Sequence, residues 1–387
     1  MIPYAKPTIT KEDQKAILKL LKTPNIAQGD NLKKFENAIN VITGSQYCIA
    51  VNSATSALHL ACLALNLKKN DNLWTTSNTF VASANCALLC GANVDFVDID
   101  LNTFNLSPHI LEKKLKNTSK KLHPKILVNV HLGGYPSYQK QIYNLSKKYN
   151  FKIIEDASHS LGAKTNDNLI GSCKWSHLTV FSFHAVKIIT TAEGGAITTN
   201  DERLSNKIQL LRSHGITKQK EDFIYQSNYD YYYEQQILGY NNRLNELQAT
   251  LGLSQLKKLD IFIKKRNNIA ERYKKKLKDL PIFFQEIDKN TISSFHLFII
   301  LIDIEKVRFD NVFLAKELKK NKIFACLHYM PVHLQPFYKK LGFKKNYLEN
   351  TEHYAKYALS LPIYPELKNS EQDYIINTII KIFTKNA

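Results

Sequence analysis

The sequence Thr179-Val-Phe-Ser-Phe-His-Ala-Val-Lys187-Ile-Ile-Thr-Thr-Ala-Glu-Gly-Gly195 sets one lysine among apolar, β-branched and small residues. Between Lys174 and Asp201, Lys187 and Glu193 are the only formally charged side chains. Desolvation in such surroundings would lower the pKa of the Lys187 ammonium and make the free amine a usable nucleophile or base. An alternative remains open, because a lysine stem often crosses apolar surface while its ammonium reaches water.

Short apolar strands alternate with helices through the first part of the chain, and a small polar turn follows each strand. This alternation predicts an α/β domain with a mainly parallel sheet. We expect strands at residues 47–51, 73–76, 94–99, 126–130 and 152–155.

The later part of the chain has a different pattern. A helical pattern runs from Arg243 to Leu277 in broken form. Beyond it we expect strands at 295–302 and 323–329, a helix at 311–320 and a terminal helix after Ser370. The sequence therefore predicts a large α/β domain over residues 1–250, followed by a linking helix and a small α+β domain over 251–387.

The composition, with 44% apolar and 22% charged residues, is that of an ordinary globular protein. The net charge of +19 suits nucleic acid or a small substrate that carries phosphates. Basic residues are spread through the chain, however, and no arginine-rich arm, zinc finger or aromatic RNA-binding signature accompanies them. A basic DNA-binding regulator is therefore only a distant alternative.

The cysteines contain no Cys-x-x-Cys pair, so we expect buried free thiols in a reducing compartment and no metal site. The first residues lack the charged-then-apolar pattern of a signal peptide, and no apolar run approaches a membrane span. These features predict a cytoplasmic protein. The six cysteines are Cys48, Cys62, Cys86, Cys90, Cys173 and Cys326.

Polar residues follow the predicted strands, where ligands of parallel sheets collect. Asn52-Ser-Ala-Thr-Ser56 offers amides and hydroxyls that suit either an anion or an ordinary helix cap. Asp156 follows another strand and could hold a protonated ring nitrogen or cap a helix, while Ser182 and His184 closely precede Lys187. A lysine, a carboxylate and an anion cradle together match pyridoxal phosphate (PLP), which binds lysine as a Schiff base and needs a protonated pyridine nitrogen.

Two exclusions support that interpretation. The chain has no Gly-x-Gly-x-x-Gly and no Gly-x4-Gly-Lys-Ser/Thr, which argues against a Rossmann dehydrogenase or a P-loop enzyme.

Several ordered motifs resemble the PLP-dependent sugar-nucleotide aminotransferases of the DegT/DnrJ/EryC1/StrS type. The resemblance covers nearly the whole chain and implies the type I aminotransferase fold, with a mainly parallel seven-stranded sheet flanked by helices in the large domain. Residues 188–195, 252–256 and 328–333 resemble the branch that makes UDP-4-amino-4,6-dideoxy-N-acetyl-β-L-altrosamine for pseudaminic acid. The motifs lie at residues 52–59, 79–85, 96–100, 155–162, 181–187, 193–195, 212–215 and 239–249.

The resemblance also implies a role for individual residues. Lys187 would form the Schiff base and shuttle the proton, Asp156 would pair with the pyridine nitrogen, and Asn241 would reach the phosphate in a neighbouring subunit of a homodimer. The other implied cofactor contacts are Ala54, Thr55, Phe80, His159 near O3′, and Ser182. The implied substrate contacts are Tyr4, Pro24, Asn25, Ile26, Ala27, His328, Val332, His333, Leu334 and Gln335.

The implied reaction moves the amino group of L-glutamate to C4 of a UDP-4-keto-6-deoxy-N-acetylhexosamine, through pyridoxamine phosphate and with release of 2-oxoglutarate. Other nucleotide-sugar 3- or 4-aminotransferases of the perosamine, bacillosamine or aminoarabinose type remain open. A sugar 3-dehydratase would carry another residue in place of Lys187. A transaminase for free amino acids would usually need an arginine for the second carboxylate, and no spacing identifies one. Gly133-Gly-Tyr135 and Ser158 depart from the usual family pattern.

Overall fold

A computed structural model describes residues 1–166, 168–225 and 227–386 of the chain. Its strands are β1 Tyr47–Val51, β2 Asn72–Thr76, β3 Asn93–Val97, β4 Ile126–Val130, β5 Lys152–Asp156, β6 Lys164–Thr165, β7 Asn168–Leu169, β8 Leu178–Ser182, β9 Gly195–Thr199, β10 Ile216–Thr217, β11 Glu234–Gln235, β12 Ile282–Phe284, β13 Phe298–Ile302 and β14 Ala358–Leu361. Its helices are α1 Lys11–Leu20, α2 Asp30–Thr43, α3 Ala54–Ala64, α4 Ala82–Leu89, α5 Pro108–Asn117, α6 Gln139–Tyr149, α7 Glu202–Arg212, α8 Glu246–Leu256, α9 Leu259–Leu277, α10 Asn311–Lys320, α11 Pro336–Lys340, α12 Glu349–Tyr357 and α13 Asn369–Asn386.

Seven strands form the main sheet in the order β1-β9-β8-β5-β4-β2-β3. Strand β9 runs antiparallel to both β1 and β8, and the remaining pairs are parallel. The central strands β4 and β8 are buried at every residue, as expected for a sheet covered on both faces. This arrangement confirms the predicted mainly parallel α/β sheet.

Helix α3 is apolar nearly all round and packs against strands of this sheet. A helix of that composition is stable only when it is buried on most sides. It follows β1 after a two-residue turn, so its first turn lies at the carboxyl end of that strand.

The last part of the chain forms a three-stranded antiparallel sheet, β12-β13-β14, packed against α9, α10 and α13. The helix predicted at 311–320 matches α10, and α13 matches the predicted terminal helix. The helical pattern from Arg243 resolves into α8 and α9, which are separated at Lys257 and Lys258.

The strand predicted at 323–329 is wrong. This segment makes only isolated bridges among the described residues, between Ile2 and Ile323 and between Cys326 and Ser360. It does not continue as a ladder, since the Tyr354 hydroxyl, and not a strand, donates to the His328 carbonyl, across 2.8 Å. His328 and Tyr329 line the cavity described below.

The predicted domain division at residues 250 and 251 falls inside α8, which packs against α1 and α2. A separate apolar core runs from Ile269 to Phe383. The predicted domain division therefore stays a prediction. The extent of the two apolar cores favours a boundary nearer the middle of α9. Among the described helices, none combines the length and the apolar character needed to cross a bilayer.

Candidate active site

A cavity of about 450 Å³ lies at the carboxyl ends of the parallel strands. Residues that follow β1, β2, β5 and β8 form most of its wall, as the topology of such sheets requires. The small-domain side is closed by residues from two further segments. The lining includes Tyr4, Ser53, Ala54, Thr55, Thr79, Phe80, Asp156, Ser158, His159, Ser182, His184, Lys187, Glu193, His296, His328 and Tyr329.

Lys187 lies in the turn after β8, where its backbone N–H donates to the His184 carbonyl across 2.9 Å. Desolvation lowers the pKa of its ammonium to about 8, although the Asp156 charge acts in the opposite direction. An amine with this pKa is unprotonated far more often near neutral pH than an ordinary lysine. Its position in the cavity supports the interpretation of a reactive lysine over that of a solvated one.

Asp156 ends β5 and is held by two serine hydroxyls. Ser83 Oγ donates to its Oδ2 across 2.6 Å, and Ser158 Oγ donates to its Oδ1 across 2.6 Å. The Ser158 N–H donates to the same Oδ1 across 3.1 Å. These bonds fix the plane of the carboxylate. Ser158, the departure from the family pattern, is therefore one of the groups that orient Asp156.

The first turn of α3 lies at the cavity edge. Ser53 caps the helix, because its Oγ accepts the Ser56 N–H across 3.1 Å. Ala54 and Thr55 follow with backbone N–H groups that have no partner inside the helix. The structure confirms the helix cap in residues 52–56. The anion-binding role stays a prediction, which the position of a capped N-terminus at the cavity favours.

Aromatic and imidazole rings form the wall opposite the strand ends. Phe80 is 57% exposed and lies 6.0 Å from the Tyr329 ring, so its face is available to a flat ligand. His159 is buried; the Gly133 N–H donates to its Nδ1 across 3.3 Å, and its Nε2 lies 3.1 Å from the Tyr329 hydroxyl. Burial and the nearby Lys187 charge hold the pKa of His159 well below its usual value, so the ring is neutral.

The cavity brings together nine of the predicted site residues from six separate segments. They are Tyr4, Ala54, Thr55, Phe80, Asp156, His159, Ser182, Lys187 and His328. Burial lowers the pKa of His328 to about 4, and its Nδ1 lies 2.9 Å from Ser360 Oγ. The roles of these nine predicted residues toward bound molecules stay predictions.

Other predicted residues lie outside the cavity lining of this chain. Asn241 and the loop residues Pro24, Asn25, Ile26 and Ala27 are exposed on the single chain. Val332, His333, Leu334 and Gln335 form the turn before α11.

His333 is buried completely, which argues against a direct substrate contact. Its Nδ1 lies 2.7 Å from Ser77 Oγ, and its Nε2 lies 3.1 Å from Glu352 Oε1. Both ring nitrogens are therefore engaged in holding the turn against β2 and α12.

Sequence reasoning missed Ser83, His296 and Tyr329. Ser83 lies in a motif that carried the resemblance, and its spacing of three residues from Phe80 could have placed both at one helix end. His296 and Tyr329 come from the small domain, and no local pattern indicated their approach to His159.

The residues present fit PLP. Asp156 is a buried carboxylate that faces the cavity, Lys187 is the amine beside it, and Phe80 offers a ring face. Gly195 lies directly against the α3 N-terminus, where a Cβ would lie 2.6 Å from the Ala54 nitrogen, so the missing side chain leaves in place the turn that would take the phosphate. The fold and the site together define an aminotransferase that uses PLP.

Comparison with known proteins identifies the family. The model of the DegT/DnrJ/EryC1/StrS aminotransferase family matches residues 7–380, and the chain belongs to this family. It is 37% identical to the UDP-4-amino-4,6-dideoxy-N-acetyl-beta-L-altrosamine transaminase of Campylobacter jejuni subsp. jejuni serotype O:23/36, covering 100% of this chain and 98% of that protein.

Solved structures agree with this assignment. Helicobacter pylori PseC, an aminotransferase of pseudaminic acid biosynthesis, superimposes with a TM-score of 0.89 at 32% identity, covering 99% of both chains. Spr1654 of Streptococcus pneumoniae in its PLP-form superimposes with a TM-score of 0.88 at 26% identity, again over 99% of both chains. The protein is therefore a sugar aminotransferase with the type I aminotransferase fold, and PLP is its cofactor.

Proposed function

We propose that the protein transfers the amino group of L-glutamate to C4 of a UDP-4-keto-6-deoxy-N-acetylhexosamine. The product would be UDP-4-amino-4,6-dideoxy-N-acetyl-β-L-altrosamine, an intermediate for pseudaminic acid. The observation that carries the chemistry is the meeting of Lys187 and Asp156 in one cavity beside a helix N-terminus. Support for the particular sugar comes from the relatives that are named for this product and this pathway and that match the chain from end to end.

The residues of the chain divide the work. When bound, PLP supplies an electron sink and a carbon that carries the amino group between donor and acceptor. Lys187 would hold the cofactor covalently, and its free Nζ would move a proton as a general acid and base. The lowered pKa of Lys187, about 8, suits both directions of that transfer near neutral pH.

Asp156 presents a fixed carboxylate to the ring nitrogen, and Ser83 and Ser158 prevent it from rotating away. The amides of Ala54 and Thr55, with Ser182, bind the phosphate. Phe80 stacks on the ring and limits access of water. The surrounding structure holds the groups that make these contacts in position before the ligand binds, as a preorganised site requires.

The working unit in this proposal is a homodimer with shared active sites. Asn241 is exposed on its own chain and does not line its own cavity, which fits a residue that serves the neighbouring subunit. In this proposal the loop of Pro24, Asn25, Ile26 and Ala27, which is exposed on the single chain, contacts the nucleotide-sugar.

The test is mass spectrometry of products formed from UDP- and dTDP-linked 4-keto and 3-keto sugars with ¹⁵N-labelled L-glutamate. The proposal expects label in one product, at C4 of the UDP-linked N-acetylhexosamine, and nuclear magnetic resonance of that product assigns the altrosamine stereochemistry. Label found only at C3, or only in a dTDP-linked sugar, would contradict the proposal and show that the enzyme acts on another nucleotide-sugar.

A further inference from the structure

Tyr329 has a hydroxyl proton that is free to serve a ligand. The Gly133 N–H donates to Nδ1 of the neutral His159 ring, so the ring carries its own proton on Nε2. His159 Nε2–H therefore donates to the Tyr329 oxygen, 3.1 Å away. No acceptor for the Tyr329 O–H lies among the described residues, and Tyr329 lines the cavity. Its hydroxyl therefore has a donor proton with no acceptor among the described residues.

His296 offers a second donor on the same wall, since its ring centroid lies 4.3 Å from that of His159. The side chain is 2% exposed, and its Nδ1 is buried without a hydrogen-bond partner. Burial of an unpaired lone pair at Nδ1 costs less free energy than burial of an unpaired N–H at the same atom. The ring proton is therefore placed on Nε2. Nε2 is not among the buried unpartnered atoms, and the ring lines the cavity, so this N–H is the one available to a ligand.

Arg266 lies directly behind His296 and carries a positive charge that no acid balances. It is 1% exposed, and its Nη1 donates to the carbonyls of Phe295, His296 and Ile363 across 3.2, 3.4 and 3.0 Å. Its Nε has no partner, and no described carboxylate forms an ion pair with it. Desolvation and the neighbouring histidine lower the pKa of the His296 ring, and Arg266 lies close enough for its charge to lower that pKa further.

We propose that His296 and Tyr329 form a carboxylate-binding subsite for the amino donor, with Arg266 as the buried charge that supports it. This inference rests on the proposed dicarboxylate donor and adds the residues that recognise it. Two neutral N–H and O–H donors match the two oxygens of one carboxylate, and charge-assisted hydrogen bonds are strong where water is excluded. The only acidic side chains that line the described cavity are Asp156, which the serines hold, and Glu193, which is exposed beside His184.

The subsite accounts for the lack of an arginine inside the cavity. The Arg266 guanidinium hydrogen-bonds the His296 backbone carbonyl and does not line the described cavity. The side chains of His296 and Tyr329 make the contact with the carboxylate. A phosphate of the cofactor is expected elsewhere, at the α3 N-terminus, so the two anions occupy separate parts of one cavity.

Glutarate, a dicarboxylate without an amino group, tests this subsite in the PLP-loaded enzyme. Its binding is followed by isothermal titration calorimetry and by the change in cofactor absorbance. We expect His296→Leu and Tyr329→Phe each to weaken glutarate binding at least tenfold, while His296→Asn, which keeps an N–H donor, stays within about threefold of wild type. His109→Leu and Tyr374→Phe, matched changes outside the cavity, should bind as wild type does.

Equal glutarate affinity in wild type, His296→Leu and Tyr329→Phe would overturn the subsite, and so would a wild-type enzyme that binds no glutarate. Tyr329→Phe removes one hydroxyl only, and an unchanged cofactor spectrum verifies that it is folded. The proposed reaction is tested separately by adding L-glutamate without sugar. If glutarate binds as expected but L-glutamate leaves the cofactor spectrum unchanged, the donor assignment fails while the subsite stands.

Discussion

The Cβ position of Gly195 lies 2.6 Å from the backbone nitrogen of Ala54. The first residue of β9 therefore backs directly on the first turn of α3, where the phosphate of PLP is expected. A real Cβ does not approach backbone atoms so closely, so any side chain at position 195 must displace the turn. The glycine that ends the lysine-bearing stretch thus keeps the phosphate cradle in place.

Gly195→Ala should weaken PLP affinity at least tenfold, which corresponds to about 1.4 kcal/mol, because the Ser53–Ala54 turn must move. Equilibrium dialysis of the cofactor-free enzyme against PLP measures this. Gly91→Ala strains a left-handed glycine far from the cavity and serves as the control. It should lower stability but leave PLP affinity unchanged. Equal PLP affinities for Gly195→Ala and wild type would show that the turn does not bind the phosphate.

Ser83→Ala should also reduce PLP affinity, by roughly fivefold to a hundredfold. The change removes the hydroxyl that donates to Asp156 Oδ2 across 2.6 Å, and loss of one bond to a buried charge costs about 1–3 kcal/mol. Fluorescence titration with PLP gives the affinity. Ser205→Ala, at a buried serine on α7, is the matched control. An unaltered affinity in Ser83→Ala would mean that Ser158 alone orients the carboxylate.

The reactivity of Lys187 in the cofactor-free enzyme should rise with pH and reach half its maximum near pH 8. Only the neutral amine reacts with an acylating reagent, and desolvation lowers the pKa of Lys187 to about 8. Peptide mass spectrometry after brief labelling at graded pH gives the midpoint.

The variant Asp156→Asn tests the direction in which the Asp156 charge shifts the pKa of Lys187. The Asp156 charge raises the pKa of Lys187, so removal of that charge should move the midpoint to lower pH. A midpoint near 10.4, the ordinary lysine value, or an upward shift in Asp156→Asn, would contradict the desolvated environment.

His333→Phe should destabilise the protein by about 1–3 kcal/mol, because Ser77 and Glu352 would each lose a partner. Urea unfolding of the PLP-loaded enzyme measures the loss. His353→Phe, on α12, provides a partly exposed control and should change stability less. In the folded His333→Phe enzyme, the KM for the nucleotide-sugar should equal that of wild type. A raised KM with unchanged stability would restore His333 as a substrate contact.

The sheet was predictable because its strands are short apolar runs that are buried on both faces and separated by polar turns. The antiparallel direction of β9 was not, since the sequence of Gly195–Thr199 carries no signal of its direction relative to β1 and β8. Lys187 could be predicted as a reactive lysine because it is an isolated charge in an apolar stretch. Asp156 could be predicted as a site residue because it follows a predicted strand, where the ligands of parallel sheets collect.

The small-domain wall could not be predicted in the same way. Tyr329 bonds His159 across 170 positions of chain, and no short-range pattern encodes such a contact. His333 shows the converse limit, because a histidine in a family motif gives no indication of whether its ring faces a cavity or a core. Its burial between Ser77 and Glu352 depends on the packing of α12, which lies outside the motif.

The central claim is that Lys187 carries the cofactor. Borohydride reduction of the PLP-loaded enzyme, followed by protease digestion and peptide mass spectrometry, tests it most directly. We predict one phosphopyridoxyl group per chain, attached to Nζ of Lys187, and no attachment in Lys187→Ala, which should also lose turnover. Reduced cofactor on another lysine, or normal turnover by Lys187→Ala, would contradict the account.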